Sequence, residues 1–220
     1  MENKFVNPQK YYYNTRPELL KFIPNGIKSM LDVGCGAGTF LNNFNNRGIV
    51  RIGIEPNREA SIVAQNHADF IINDFFTQNS INAVKKKYNQ PIDCIFFNDV
   101  LEHLEEPWQA LEIAKQLLSE EGVIIASIPN FLFYSNLSNI IRTQDIRYES
   151  SGIMDVTHLR FFSKKSIIRL FTDVNFEITN IEGINPVSSI KFKIINFILM
   201  NRLSDLKYIQ FVVVARLKKT

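Results

Sequence analysis

Short apolar runs alternate along the chain with stretches whose apolar residues recur every three or four positions. Five runs read as strands: residues 29–34 (SMLDVG), 49–56 (IVRIGIEP), 69–74 (DFIIND), 93–100 (DCIFFNDV) and 122–129 (GVIIASIP). Between them, residues 39–46, 58–66, 80–88 and 107–118 read as helices. Nearly continuous apolar strands separated by helices predict a parallel sheet covered on both faces. Such units build a doubly wound α/β domain with right-handed crossovers, and ligands lie at the carboxyl ends of its strands. The rhythm loosens after Asn130. Residues 131–142 fit a helix, 143–157 a loop, and Ser163 caps a helix through Phe171. Two late strands, 176–184 and 209–217, flank a helical stretch at 189–201. No internal repeat or linker divides residues 1–220, which predict a single domain.

Composition narrows the class. With 45% hydrophobic and 21% charged residues the chain can bury an ordinary core, which excludes disorder of the whole. A net charge of +3 is too mild to demand a nucleic-acid partner. Two cysteines, Cys35 and Cys94, make no disulfide scaffold, and a reducing cytoplasm is the expected compartment. Met-Glu-Asn-Lys at the amino terminus is not the start of a secretory signal. No apolar run approaches the ~18 residues of a membrane-spanning helix.

Candidate chemistry gathers at strand ends. The segment Leu31-Asp32-Val33-Gly34-Cys35-Gly36-Ala37-Gly38 ends the first strand and opens a helix, where glycines let the chain turn tightly and a ligand approach. The nicotinamide pattern G-x-G-x-x-G fails, because the third glycine would fall on Thr39 or Leu41. Asp32, before the turn, suits a cationic or amine ligand better than a pyrophosphate. Glu55, 17 residues past Gly38, ends the second strand, where a carboxylate accepts from two ribose hydroxyls. Asp74 ends the third strand beside Phe75 and Phe76. It reads either as an acceptor from an adenine amine or as a helix N-cap. Three carboxylates facing one crevice suit a nucleoside whose other end is positive.

At these residues the chain resembles the class I S-adenosylmethionine-dependent methyltransferases. Leu31–Gly38 resembles their first motif, and Gly53-Ile54-Glu55-Pro56 their ribose-binding turn. DCIFFNDVLEHLEEP (93–107) and DVTHLRFF (155–162) are similar to segments of the small-molecule branch, especially the ubiquinone-biosynthesis type. The likeness covers about residues 11–180. It implies a Rossmann-like seven-stranded sheet, mostly parallel with the last strand antiparallel, and S-adenosyl-L-methionine as cofactor. It further implies that Asp32, Gly34, Gly36 and Gly38 line the methionine and ribose portion, that Glu55 holds the ribose and Asp74 the adenine edge, and that Asn98 lies near the sulfonium. Cys35, inside the turn, reads as a small filler of the same cofactor wall, not a nucleophile. Residues 1–28 would form an amino-terminal cap, in which one of Tyr11, Tyr12 and Tyr13 (Tyr13 being the choice made here) covers the sulfonium and Arg16 binds the cofactor carboxylate. The competing reading of this segment is an amphipathic helix that merely packs.

The three histidines are His67, His103 and His158. His67 reads as a surface residue at a helix end. His103 follows the fourth strand and is a candidate base or acceptor-orienting group, against a plain helix-capping role. Asp99, Glu102 and His103 sit at i, i+3 and i+4; were that stretch helical, they would share a face suited to a divalent ion. A short acidic turn without metal is the reading adopted. If 157–162 is extended, His158 and Arg160 share one face, as a second base and an anchor for an anionic acceptor, or as a buried tie.

Acceptor choice is expected in the insertions 131–160 and 187–206, with Phe131 and Tyr134 as an aromatic wall. Residues 189–220 hold seven basic residues and one acidic, a balance of +6. The apolar stretch within 189–207 reads as a core helix or as a weak membrane-surface contact. The positive balance suits an anionic sugar nucleotide or a lipid-linked glycan. The expected protein is thus a methyltransferase acting on O, N or C of a small molecule, monomeric or homodimeric. A noncatalytic cofactor-binding module is the alternative.

Overall fold

The computed structural model describes residues 12–187 and 189–219. Tyr11 and the first part of the expected cap lie outside them, as does Ser188 of the second insertion. Seven strands form one sheet: β1 Ser29–Val33, β2 Val50–Ile54, β3 Phe70–Ile72, β4 Ile92–Asn98, β5 Leu118–Pro129, β6 Phe176–Pro186 and β7 Tyr208–Leu217. Their order is β3-β2-β1-β4-β5-β7-β6. β7 runs antiparallel to both neighbours, and the pairings among β1 to β5 are parallel. The helices are α1 Thr39–Asn42, α2 Arg58–Ala64, α3 Gln78–Lys87, α4 Pro107–Ala114, α5 Tyr134–Thr143, α6 Lys164–Thr172 and α7 Ile190–Ile198. The expected Rossmann-like architecture is therefore present.

Alternation along each strand explains why the central strands read as continuous apolar runs. Leu31 and Val33 join Ile52, Ile54, Ile95 and Phe97 on one face of the sheet, with α4 and α6 over them. Met30 joins Cys94 and Phe96 on the other face, covered by Phe40 and Leu41 and by Leu19 and Phe22 of a 3-10 turn, Pro17–Phe22. β1 and β4 thus bury both sets of side chains.

Boundaries differ where polar chemistry intervenes. α1 stops at Asn42 in a run of asparagines, and Asn46 adopts a left-handed φ of 60°. α4 stops at Ala114 because Leu118 already pairs with Ile92 in the sheet; a register shift between Ile92 and Cys94 absorbs the exposed Glu120 and Glu121. α3 begins two residues early, where Thr77 and Ser80 exchange capping bonds. Ser163 caps α6 as expected, accepting from the Ser166 N–H. The chain order reverses at β1, flanked by β2 on one side and β4 on the other. A crevice opens at such a switch point, outside the carboxyl ends of the strands.

Candidate active site

A cleft of about 760 Å³ lies at that position. Its floor is the turn after β1. The Gly34 N–H donates to the Ile54 carbonyl at 2.8 Å, and the Gly36 N–H to Glu55 Oε2 at 2.8 Å. Gly36 has φ +55°, and a Cβ there would stand 2.7 Å from the Tyr12 carbonyl oxygen, so only glycine fits. The other Glu55 oxygen accepts from the Asn57 N–H at 2.8 Å. Asn57 in turn caps α2 and donates to the Tyr12 hydroxyl at 3.3 Å. One buried carboxylate therefore ties the glycine turn, the next helix and the amino-terminal segment together. Burial raises the Glu55 carboxyl above its ordinary range, against the two N–H donors.

Asp32 is fully enclosed and accepts from Asn98 Nδ2 at 3.1 Å. Burial lifts its pKa to about 8, opposed by the Asn98 bond and aided by the nearby Glu55 charge. Asn98 Oδ1 is buried without a hydrogen-bond partner. Cys35 lines the wall as a buried thiol whose pKa desolvation pushes up. Gly34, Gly36, Glu55 and Asn98 line the cleft with Asp32.

Other expected positions fall elsewhere. Gly38 is not on the wall: it caps α1, and a Cβ would meet Ala64 and His67 at the end of α2. Asp74 is also off the wall and folds back to accept from the Phe75 N–H at 2.8 Å, while Phe75 and Phe76 line that side. Tyr13 is 51% exposed, and Tyr12 occupies the cleft instead. Arg16 does line the cleft, buried and with a left-handed φ of 47°. Its guanidinium, however, pairs with Asp99 Oδ2 at 2.9 Å and donates to Ser127, so its charge is already met. Phe131 packs on Phe161, and Tyr134 stacks on Phe192, both away from the cleft.

The expectation for residues 99–103 is corrected in its geometry. Leu101–His103 is a single 3-10 turn, and Asp99 lies before it at φ 55°, engaged with Arg16 and Gln210. The residue that joins Glu102 and His103 is His158. Residues 157–160 do not alternate as a strand would. The N–H groups of Leu159 and Arg160 both donate to the Glu102 carbonyl, at 2.9 and 3.0 Å. This clamp buries His158 and turns Arg160 outward, where it donates to the Glu105 carbonyl beside Trp108. His158 and Arg160 thus do not share a face.

His103 Nδ1 lies 3.1 Å from the Thr157 carbonyl. The Thr157 hydroxyl also lies 3.1 Å from Nδ1, so the carbonyl and hydroxyl of one residue hold this edge of the ring. The Thr157 hydroxyl donates to Asp155 Oδ1 at 2.6 Å, which fixes that segment. Burial, then the adjacent His158, lowers the His103 pKa. The two imidazoles meet edge to face at 4.7 Å. His158 Nδ1 faces the Ile153 carbonyl at 3.0 Å, and its Nε2 is 4.0 Å from Glu102 Oε1. Glu102, which sequence reading placed only in a metal alternative, is 1% exposed, and neither carboxylate oxygen has a hydrogen-bond partner. Desolvation, then Asp99, pushes its carboxyl well up. Its ligating atom and those of both histidines lie within 4.8 Å of one another.

A seven-stranded sheet with β7 reversed, and a carboxylate-lined cleft at its switch point, define the class. The family of methyltransferase domains matches residues 9–181, and the chain belongs to it as a class I S-adenosylmethionine-dependent methyltransferase. It is 27% identical over 180 residues to a ubiquinone biosynthesis O-methyltransferase of Glaesserella parasuis, covering 74% of this chain and 73% of that one. Its fold is similar to that of a SAM-dependent methyltransferase from Archaeoglobus fulgidus (TM-score 0.66, 19% identity, 90% of each chain). It is also similar to magnesium protoporphyrin IX methyltransferase from Synechocystis with bound S-adenosylhomocysteine (TM-score 0.57, 14% identity, 88% of this chain and 75% of that one).

Proposed function

We propose that this enzyme transfers the methyl group of S-adenosylmethionine to a hydroxyl oxygen of a small molecule, with His103 as the base. The observation that supports it most is the position of His103, an imidazole on the cleft wall that Thr157 holds at Nδ1 and whose pKa burial lowers. Bound S-adenosylmethionine would supply an electrophilic methyl group on its sulfonium and depart as the neutral thioether, while the acceptor hydroxyl would give up its proton to His103. The name of the Glaesserella relative supports oxygen over nitrogen or carbon. Asp32, Gly34, Cys35, Gly36, Glu55 and Asn98 would hold the cofactor, with Tyr12 over the turn.

The wall carries five carboxylates, Asp32, Glu55, Asp99, Glu102 and Asp155, against the single Arg16, which is already paired. That balance disfavours an anionic acceptor. An anionic sugar nucleotide or a lipid-linked glycan draws support only from basic residues outside the cleft. His103→Ala is expected to lower turnover by about 10²–10⁴-fold, the usual worth of a positioned base, with affinity for S-adenosylhomocysteine unchanged. Turnover measured with an accepted hydroxyl compound checks this; unchanged turnover would remove His103 from the role.

The orphaned Glu102 oxygens favour a second reading of the same cluster, a divalent cation held by Glu102, His103 and His158. Such a mixed nitrogen and oxygen set suits manganese or zinc. Calorimetry with each metal is expected to show one site that Glu102→Gln abolishes. The absence of binding to the unsubstituted protein would leave the cluster as acid–base machinery alone.

A further inference from the structure

Helix α7 is anchored from one side only. Phe192 is buried and stacks on Tyr134 of α5, with ring centroids 4.6 Å apart. One turn later, Asn196 Oδ1 accepts from the Leu203 N–H at 2.9 Å. Ser189 caps the helix, accepting from the Phe192 N–H at 3.1 Å. With Phe192 and Asn196 inward, the opposite face is set. Ile190, Ile194, Phe197 and Ile198 are exposed at 77, 55, 76 and 70%. At 3.6 residues per turn they fall in an arc about 100° wide opposite Phe192, with Lys191 on one flank and Lys193 on the other. Met200, just past the helix, is 80% exposed. The core-helix reading of this stretch is thereby corrected: only Phe192 of the helix is buried.

An apolar stripe with lysines beside it, continued past Lys191 by Ile195 at 51% exposure, matches the interfacial layer of a bilayer. The stripe enters the acyl boundary while the lysine stems run along it and the ammonium groups reach phosphates. Residues 189–207 carry four basic residues (Lys191, Lys193, Arg202, Lys207) and one acidic, Asp205, which is paired with Lys164 at 3.1 Å. The surface that fits them is therefore anionic. A second copy docked stripe to stripe would bring these lysines toward one another, which disfavours a dimer through this face.

We infer that α7 is a docking face for an anionic lipid bilayer. The helix joins the end of β6 to the start of β7, and Ile209 and Gln210 of β7 line the cleft. Docking would therefore hold the carboxyl edge of the sheet, where the cleft opens, near the membrane. The inference does not rest on the acceptor proposed above.

The test is flotation of the full chain with phosphatidylcholine vesicles, with and without about one third phosphatidylglycerol. Binding to the anionic vesicles is expected, weakening as salt rises. Lys191→Gln with Lys193→Gln should weaken it by about fivefold per lysine. Ile194→Glu with Phe197→Glu should weaken it by about tenfold or more. Retained binding of S-adenosylhomocysteine shows that each variant is folded and keeps this outcome separate from the cofactor site. Absence of flotation by the unsubstituted chain, or flotation indifferent to both double variants, would overturn the inference. So would a dimer in light scattering that the Ile194/Phe197 variant dissolves.

Discussion

Glu55→Ala is expected to weaken binding of S-adenosylhomocysteine by about two orders of magnitude. Both Glu55 oxygens are used within the fold, one by the Gly36 N–H and one by the Asn57 N–H. Each oxygen has a second lone pair, so the carboxylate can hold the turn and still accept from ribose hydroxyls. Alanine removes both functions. The orphaned N–H groups cost stability in the free and bound protein alike, whereas each ribose hydrogen bond to the carboxylate contributes about 1.5–3 kcal/mol to binding. At about 1.4 kcal/mol per decade, two such bonds give the stated loss. Glu55→Gln keeps one acceptor oxygen and should lie between. Calorimetric titration checks the series. A loss below about threefold for alanine would confine Glu55 to shaping the turn.

The second large effect is electrostatic. Stability of the ligand-free protein is expected to fall as pH rises from about 4 to about 8, and to fall less steeply in Asp32→Asn. The sign follows from linkage. The Asp32 carboxyl titrates at about 8 when folded, chiefly through burial, against 3.8 for the unperturbed group. Between these values the folded state binds a proton that the unfolded state has released. Its contribution to stability is full below the lower value and is lost as pH climbs through the upper one. Glu55 is raised in the same direction and adds to the slope. A cationic ligand reverses the preference, because it supplies the charge that burial removed. Affinity for S-adenosylmethionine should therefore rise with pH up to about 8, by at most about tenfold per unit. Asp32→Asn should abolish most of that rise. Thermal melts and titrations across this range provide the check. A flat profile in the unsubstituted protein would mean that Asp32 stays ionised throughout.

Local pattern made the sheet legible, because β1, β4 and β5 bury alternate residues on both faces and so read as apolar runs. The glycine turn and Glu55 were legible because they occupy fixed places after a strand. What failed were the inferences about direction. Asp74 was expected on the wall, but its side chain closes on its own neighbour, a local bond that competes with any ligand. Alternation was assumed for 157–160, but two N–H groups converge on the one Glu102 carbonyl. The same clamp brings His158 to Glu102 across 56 residues of chain, a meeting that spacing cannot reveal. The pairing of Arg16 with Asp99 spans 83 residues and was hidden for the same reason. A signal for Glu102 did exist: the pair Glu102-His103 is enclosed between Leu101 and Leu104. The outward face of α7 was ambiguous because an apolar stripe has the same periodicity whether protein or lipid covers it.

Calorimetric titration of the folded protein with S-adenosylhomocysteine, with NAD as control, bears most directly on the cleft as the cofactor site. One saturable site for S-adenosylhomocysteine and none for NAD is the expected result. A folded protein that binds neither would contradict the assignment of the β1 turn, Asp32 and Glu55 to this cofactor.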